Sequence, residues 1–419
     1  MKLKFGRTVL VGTAFLAISS FWSLYDGIVP LILKNTFALN DTLAGFIMAL
    51  DNILALFMLP LFGSLSDKLK TPLGRRTPFI IGGTAVAVVS MLMIPVAARI
   101  HSLTLMMVSL GITLFAMGTY RSPAVALMPD VTPKPLRSKA NAIINLMGTF
   151  GGIMALGLIA ALVPKGDNPN YLPVFSSVAA IMVAAVVVLV ATIRENKLRV
   201  PDDPEEAEEE AANAPLSPEK RTSLLLILAS VFLWFAGYNA VTTAFSKYAN
   251  IRWGLEGGAF AYTLMVAQAA AAIAFLPVGV LSGKLGRRKV ILLGVGLLTL
   301  VFASAALFKQ FHVSMFVLFA LAGVAWAAIN VNSFPMVVEL SRGSNIGKYT
   351  GYYYTASMAA QIITPIVSGA LLEYAGYWTL FPYGAFFVAL SFITMLFVRH
   401  GDSKPVKKVS FEEYAEMDT

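Results

Sequence analysis

The chain has 419 residues, 57% of them hydrophobic and only 13% charged, with a mean hydropathy of +0.74. Soluble domains are about one-quarter charged, so this composition belongs to the membrane class and excludes an ordinary soluble enzyme or binding module. The +9 net charge would suit a nucleic-acid partner, but the basic residues sit in short turns between apolar runs; the absence of cysteine excludes disulfides and thiolate metal sites, and three scattered histidines suggest no metal centre.

A helix needs about 20 apolar residues to cross the hydrocarbon core. Lys2, Lys4 and Arg7 precede an apolar run, roughly Thr8 to Leu33, that is too long for the core of a signal peptide and lacks a small-residue cleavage site. It reads as a first membrane span. Further runs give twelve predicted spans, over 8–34, 41–66, 78–98, 102–128, 139–164, 173–194, 222–247, 257–282, 289–309, 312–338, 349–374 and 377–399. If the N-terminus is cytosolic, only Lys34, Arg99, Lys165, Lys247, Arg252 and Lys309 fall on the external side, and Arg121 lies inside a span. The other basic residues are cytosolic, an asymmetry that predicts both termini inside.

Between spans 2 and 3 runs LSDKLKTPLGRRTPF, Leu65 to Phe79, and LSGKLGRRK returns at Leu281 to Lys289. Asp130 with Lys139 nine residues later likewise parallels Glu339 with Lys348. Between the repeats lies Glu195 to Arg221, containing PDDPEEAEEEAANAP, polar and too charged to pack. The predicted organisation is a six-helix half (1–194), a solvated cytosolic linker (195–221), a second six-helix half (222–399) and a cytosolic tail (400–419). An all-α polytopic protein of twelve helices in two pseudo-symmetric halves resembles the major facilitator fold, which implies a substrate site near the midplane lined by spans 1, 4, 7 and 10.

The resemblance narrows at the first turn. Pro60-x-x-Gly63-x-x-Ser66-Asp67, six residues, then Gly74-Arg75-Arg76-x-Pro78-Phe79 is similar to the sucrose-transporter-like branch of the glycoside–cation symporters, with further matches at Gly118, Pro123, Asp130 and Ala140-Asn141-Ala142. It implies a proton-coupled symporter for a sugar, often a disaccharide, in the plasma membrane. Val125 stands where plant sucrose carriers have an arginine, and Ala55 and Leu59 lie where melibiose-type symporters place paired aspartates. The latter departure favours protons over sodium. No cofactor is expected, and the fold works as a monomer.

Ionisable residues inside spans are functional candidates because burying their charge is costly. Asp26 in span 1 and Asp51 in span 2 lie roughly 12 and 15 Å from the external ends of their helices, at similar depth. Asp51 is the expected proton carrier and Asp26, beside Trp22 and Tyr25, the expected sugar ligand. Arg121 in span 4 stays charged, so it can pair or bind but cannot carry the proton. The competing reading for all three is a structural ion pair.

Sugar recognition calls for amides, hydroxyls and an aromatic face. Trp234, Tyr238 and Asn239 in span 7, Trp326 and Asn330 in span 10, Asn141 and Asn145 in span 5, Gln268 in span 8 and Gln361 in span 11 supply them. Asp67, Arg75, Arg76, Asp130 and Glu339 are expected to form one cytosolic latch that closes and opens with the gate. A proton-coupled exporter of amphipathic compounds is the alternative function; no Ser/His/Asp set or phosphate loop supports an enzyme.

Overall fold

The computed structural model describes residues 4–133, 137–166, 169–198, 217–340 and 346–402, without the side chains of 137–139 and 346–348. Most of the expected linker, most of the tail, and the Lys139 and Lys348 side chains lie outside the described residues.

In a bilayer every backbone N–H and C=O needs a partner within the chain, which makes long apolar runs helical. Among the described residues there are twelve membrane-length helices, one for each predicted span. They are α1 (Phe5–Leu31), α2 (Asp41–Lys68), α3 (Thr77–Arg99), α4 (Leu103–Asp130), α5 (Arg137–Leu162), α6 (Leu172–Thr192), α7 (Pro218–Trp253), α8 (Phe260–Leu285), α9 (Arg287–Ala306), α10 (Met315–Glu339), α11 (Ile346–Tyr374) and α12 (Leu380–Leu396). Local chemistry sets several ends. Asn40 caps α2 by accepting the Leu43 N–H at 2.8 Å. Pro218, with no N–H to leave unpaired, opens α7 near its first turn, and left-handed Gly254 (φ 65°) ends it. That helix exceeds its predicted span at both ends. Past Leu31, α1 continues as a wider π turn over Ile32–Thr36.

The halves share one packing plan. In the first, α1 packs on α5 and α6, α2 on α4, and α3 on α4 and α6; in the second, α7 packs on α11 and α12, α8 on α10, and α9 on α10 and α12. Lipid offers no hydrophobic drive between helices, so close approach through small residues carries much of this packing. A Cβ on Gly151 of α5 would lie 2.3 Å from the Leu16 carbonyl oxygen of α1, and one on Gly323 of α10 would lie 2.0 Å from that of Ala267 on α8.

Between halves, α2 lies against α11, α5 against α8 and α1 against α7. Among the described residues, hydrogen bonds joining the halves gather at the end away from the termini, here the far side. There Gly258 N–H donates to the Val163 carbonyl at 3.2 Å, and Thr42 N–H to Glu373 at 3.0 Å. On the side carrying the termini the helices diverge. The α5 stripe from Gly152 back to Asn145 and Asn141 becomes exposed, and on α8 a Cβ at Gly279 or Gly283 would meet nothing within 4 Å. The result is a cleft open to the terminal side and shut on the far side.

Gly151→Ala and Gly323→Ala are expected to destabilise the purified protein by about 1–3 kcal/mol through overpacking. Gly82→Ala, where a Cβ has open space, should leave the thermal unfolding midpoint unchanged.

Candidate functional site

The wall contributed by the first half holds the intramembrane charges. Asp26 on α1 and Asp51 on α2 interact electrostatically, and Asp51 also feels the charge of Arg121 on α4. Their similar depth in the sequence thus places them within electrostatic reach of each other. The Asp51 carboxylate accepts a hydrogen bond from Asn52 Nδ2 at 2.7 Å. The Arg121 guanidinium lies over the Trp22 ring, 5.5 Å from its centroid, where the negative ring face favours a cation. Trp22 in turn meets Tyr25 edge-on at 5.5 Å. Tyr25 is buried and turns its hydroxyl to the Met48 carbonyl at 3.4 Å, so it braces α1 on α2.

The opposite wall is aromatic and amide. Tyr238 on α7 lies within electrostatic reach of Asp26, so the two walls meet there. Trp326 on α10 stacks on Tyr238 with centroids 3.6 Å apart and planes 4° apart, and Phe235 abuts it edge-on at 5.4 Å. Asn239 and Asn330 are half-buried on the same helices. Gln268 reaches across to the other half: a Cβ on Gly152 would lie 2.6 Å from its Oε1 and 3.0 Å from Ser23 Oγ. Trp22 Nε1, Asn239 Nδ2 and Gln268 Oε1 are buried with no hydrogen-bond partner among the described residues. Such groups are costly unless a ligand or water completes them.

Other candidates are placed less centrally. Trp234 has no exposed surface in this state, although it lies one helical turn before Tyr238. Gln361 Nε2 donates back to the Ser357 carbonyl at 3.3 Å. Asn145 Nδ2 donates to the Asn141 carbonyl at 2.9 Å, and both side chains are exposed on the α5 stripe that faces the other half.

At the terminal side the ion pairs seen among the described residues lie within each half. Arg75 binds Asp130 through two hydrogen bonds of 3.0 and 2.6 Å, and Arg76 adds one at 2.9 Å. Arg76 also pairs with Asp67 and Ser66. In the other half Arg287 pairs with Glu339. The residues expected to form one latch thus pair, among the described residues, within their own halves. Asp67 meets Arg76, within its own half.

Glu195 explains why the turn holds its shape. Assigned by sequence to the solvated linker, it is only 1% exposed and opens a single helical turn, Glu195–Leu198. Its carboxylate accepts the backbone N–H groups of Arg75, Arg76 and Thr77 at 2.8 to 3.0 Å and the Thr77 hydroxyl at 2.8 Å. It thus caps α3, whose own N-cap residue supplies no side-chain bond, and its negative charge suits a helix N-terminus. Gly74 (φ 118°) is required beside it, since a Cβ would lie 2.2 Å from the carboxylate. Asp402 repeats the arrangement after α12, accepting the Arg287 N–H at 2.7 Å next to Gly286 (φ 92°). The recurrence of Gly-Arg-Arg was the visible trace of both caps.

Sequence reasoning also missed a far-side cluster. Asp41 is 2% exposed and receives Lys247 Nζ at 2.8 Å, Lys34 Nζ at 2.9 Å and the Tyr377 hydroxyl at 2.8 Å. Lys247 is itself 4% exposed. Lys34 and Lys247 had served only to fix topology, because each sits at the end of an apolar run.

Glu195→Ala should strand three backbone donors at the α3 terminus and cost about 1–3 kcal/mol. Thermal unfolding would show it, and the loss should exceed that of an exposed change such as Lys68→Ala.

The Major Facilitator Superfamily model matches residues 11–308 and 253–415. No curated protein sequence matches the chain significantly. Similar solved structures include the inward-open xylose transporter XylE from E. coli (12% identity, 99% of each chain, TM-score 0.71). The nucleoside transporter NupG is also similar (14% identity, 94% of this chain and 100% of that one, TM-score 0.69), as is the POT family transporter PepTSo (11% identity, 95% and 98%, TM-score 0.70). With twelve membrane-length helices, two halves of matching plan and a family match along nearly the whole chain, this protein belongs to the major facilitator superfamily: a multi-pass membrane transporter, not an enzyme, working by alternating access.

Proposed function

We propose that the chain is a proton-coupled symporter of a sugar, a disaccharide or glucoside, acting as a monomer in the plasma membrane with both termini cytosolic. The observation that carries this reading is the pairing of a charged wall with an aromatic and amide wall across one cleft. Asp51 carries the proton, Asp26 accepts from sugar hydroxyls, and Tyr238, Asn239, Gln268, Trp326 and Asn330 supply the ring face and the amides.

Charge balance supplies the coupling. With Asp26 and Asp51 both ionised, two negative charges would stand against the one positive charge of Arg121, and the wall would bear a net negative charge. One proton on Asp51 makes it neutral, and a neutral wall can be enclosed as the halves rock without the penalty of an uncompensated buried charge. On this reading one proton moves with each sugar. The narrower likeness of the Ser66-Asp67…Gly74-Arg75-Arg76-x-Pro78-Phe79 turn to sucrose-type carriers supports a sugar, and a xylose transporter is among the similar structures. The nucleoside and peptide transporters share the fold equally, so the fold does not select the cargo.

Proteoliposomes test this directly. Adding a panel of glucosides and disaccharides outside should alkalinise the external medium as a pH-sensitive dye reads it, with one proton for each labelled sugar. If no sugar moves protons or label, the reading fails; efflux of amphipathic compounds in the same vesicles would favour the exporter. Asp51→Asn is expected to abolish uphill uptake, a loss of at least about tenfold, while leaving sugar exchange measurable. Intact uphill uptake would move the proton role elsewhere.

A further inference from the structure

The far-side cluster is asymmetric in a way that bears on how the transporter opens. Asp41 and Lys34 belong to the first half, on α2 and on the π turn after α1. Lys247 and Tyr377 belong to the second, on α7 and just before α12. Both lysines bind the one carboxylate, Lys247 at Oδ1 and Lys34 at Oδ2, while the Tyr377 hydroxyl lies 2.8 and 2.9 Å from the two oxygens. The Lys34 ammonium also sits 5.8 Å from the Tyr377 ring centroid. Glu373 of α11 takes no part in these pairs and accepts from the Thr42 N–H and hydroxyl instead.

Alternating access requires the halves to part on the far side. Asp41 then leaves with Lys34 still bound to it, and only Lys247 loses its partner. We propose that Lys247 and Tyr377 lock the far side through Asp41, and that Lys34 is a keeper that lets Asp41 depart without becoming an unpaired charge. Removing the lock favours opening, because Asp41 keeps a cation in either state. Removing the keeper opposes opening, because Asp41 then depends wholly on Lys247. The two lysines therefore act with opposite sign on the same carboxylate. Only the parting of the halves is required for this, neither a sugar nor a proton.

The chain has no cysteine, so a single introduced thiol reports one position. Ser368 on α11 is 3% exposed and lines the small cavity beside Lys247. In detergent-purified protein carrying Ser368→Cys, the rate of maleimide labelling reads far-side opening. Lys247→Met is expected to raise that rate about fivefold or more, and Lys34→Met to lower it by a similar factor. Tyr377→Phe keeps every charge, is gentler on folding, and should also raise the rate. If Lys34→Met raises labelling as Lys247→Met does, the cluster is a plain three-charge bridge and the keeper role is overturned. If neither Lys247→Met nor Tyr377→Phe changes labelling, the lock itself is overturned.

Discussion

A charge inside a bilayer is tolerated only with a partner, and in this protein the choice of partners divides the molecule into working parts. At the terminal side each half resolves its own charges: Arg75 and Arg76 with Asp130, and Arg287 with Glu339. Those pairs tie the turn before α3 to the end of α4, and the start of α9 to the end of α10. Across the far side, by contrast, Asp41 answers to Lys247, and the pair binds the halves to each other. Within the cleft, Asp51 interacts with both Asp26 and Arg121.

The backbone follows the same logic. Glu195 and Asp402 each return from beyond the last helix of a half to satisfy the exposed N–H groups behind a Gly-Arg-Arg turn. Each half is thereby closed on itself at its terminal side, by a contact between its end and its middle. Rocking then moves two bodies about the far-side contacts of α2 with α11 and α5 with α8, with little demand on the turns.

Much of the fold was legible because hydropathy and length determine helices in lipid almost unaided, and all twelve predicted spans match helices. That Asp26 and Asp51 lie within electrostatic reach of each other agrees with their similar depth, since depth along a helix follows from residue count. What stayed hidden was whatever depends on how elements return to one another. Glu195 is one acid among many at the head of an acidic stretch, and nothing local separates the capping residue from the solvated ones. Lys247 resembles any basic residue at a span end until α2 is laid beside it. Asp67, Arg75, Arg76, Asp130 and Glu339 could be named from the motif, but a motif does not show which of them meet inside one half. Trp234 and Tyr238 share a helical face by spacing, yet one is sealed and the other half-open, a distinction set by neighbouring helices.

The stacked pair Tyr238 and Trp326 stands on the wall that holds none of the three cleft charges. Under the proposed function this divides the labour of evolution as well as of mechanism. Substitutions along α7, α8, α10 and α11 can reshape the pocket for a new cargo while the carboxylates and guanidinium that harness the gradient stay untouched on the other half. A lineage built on this plan can change its diet without relearning how to power its uptake.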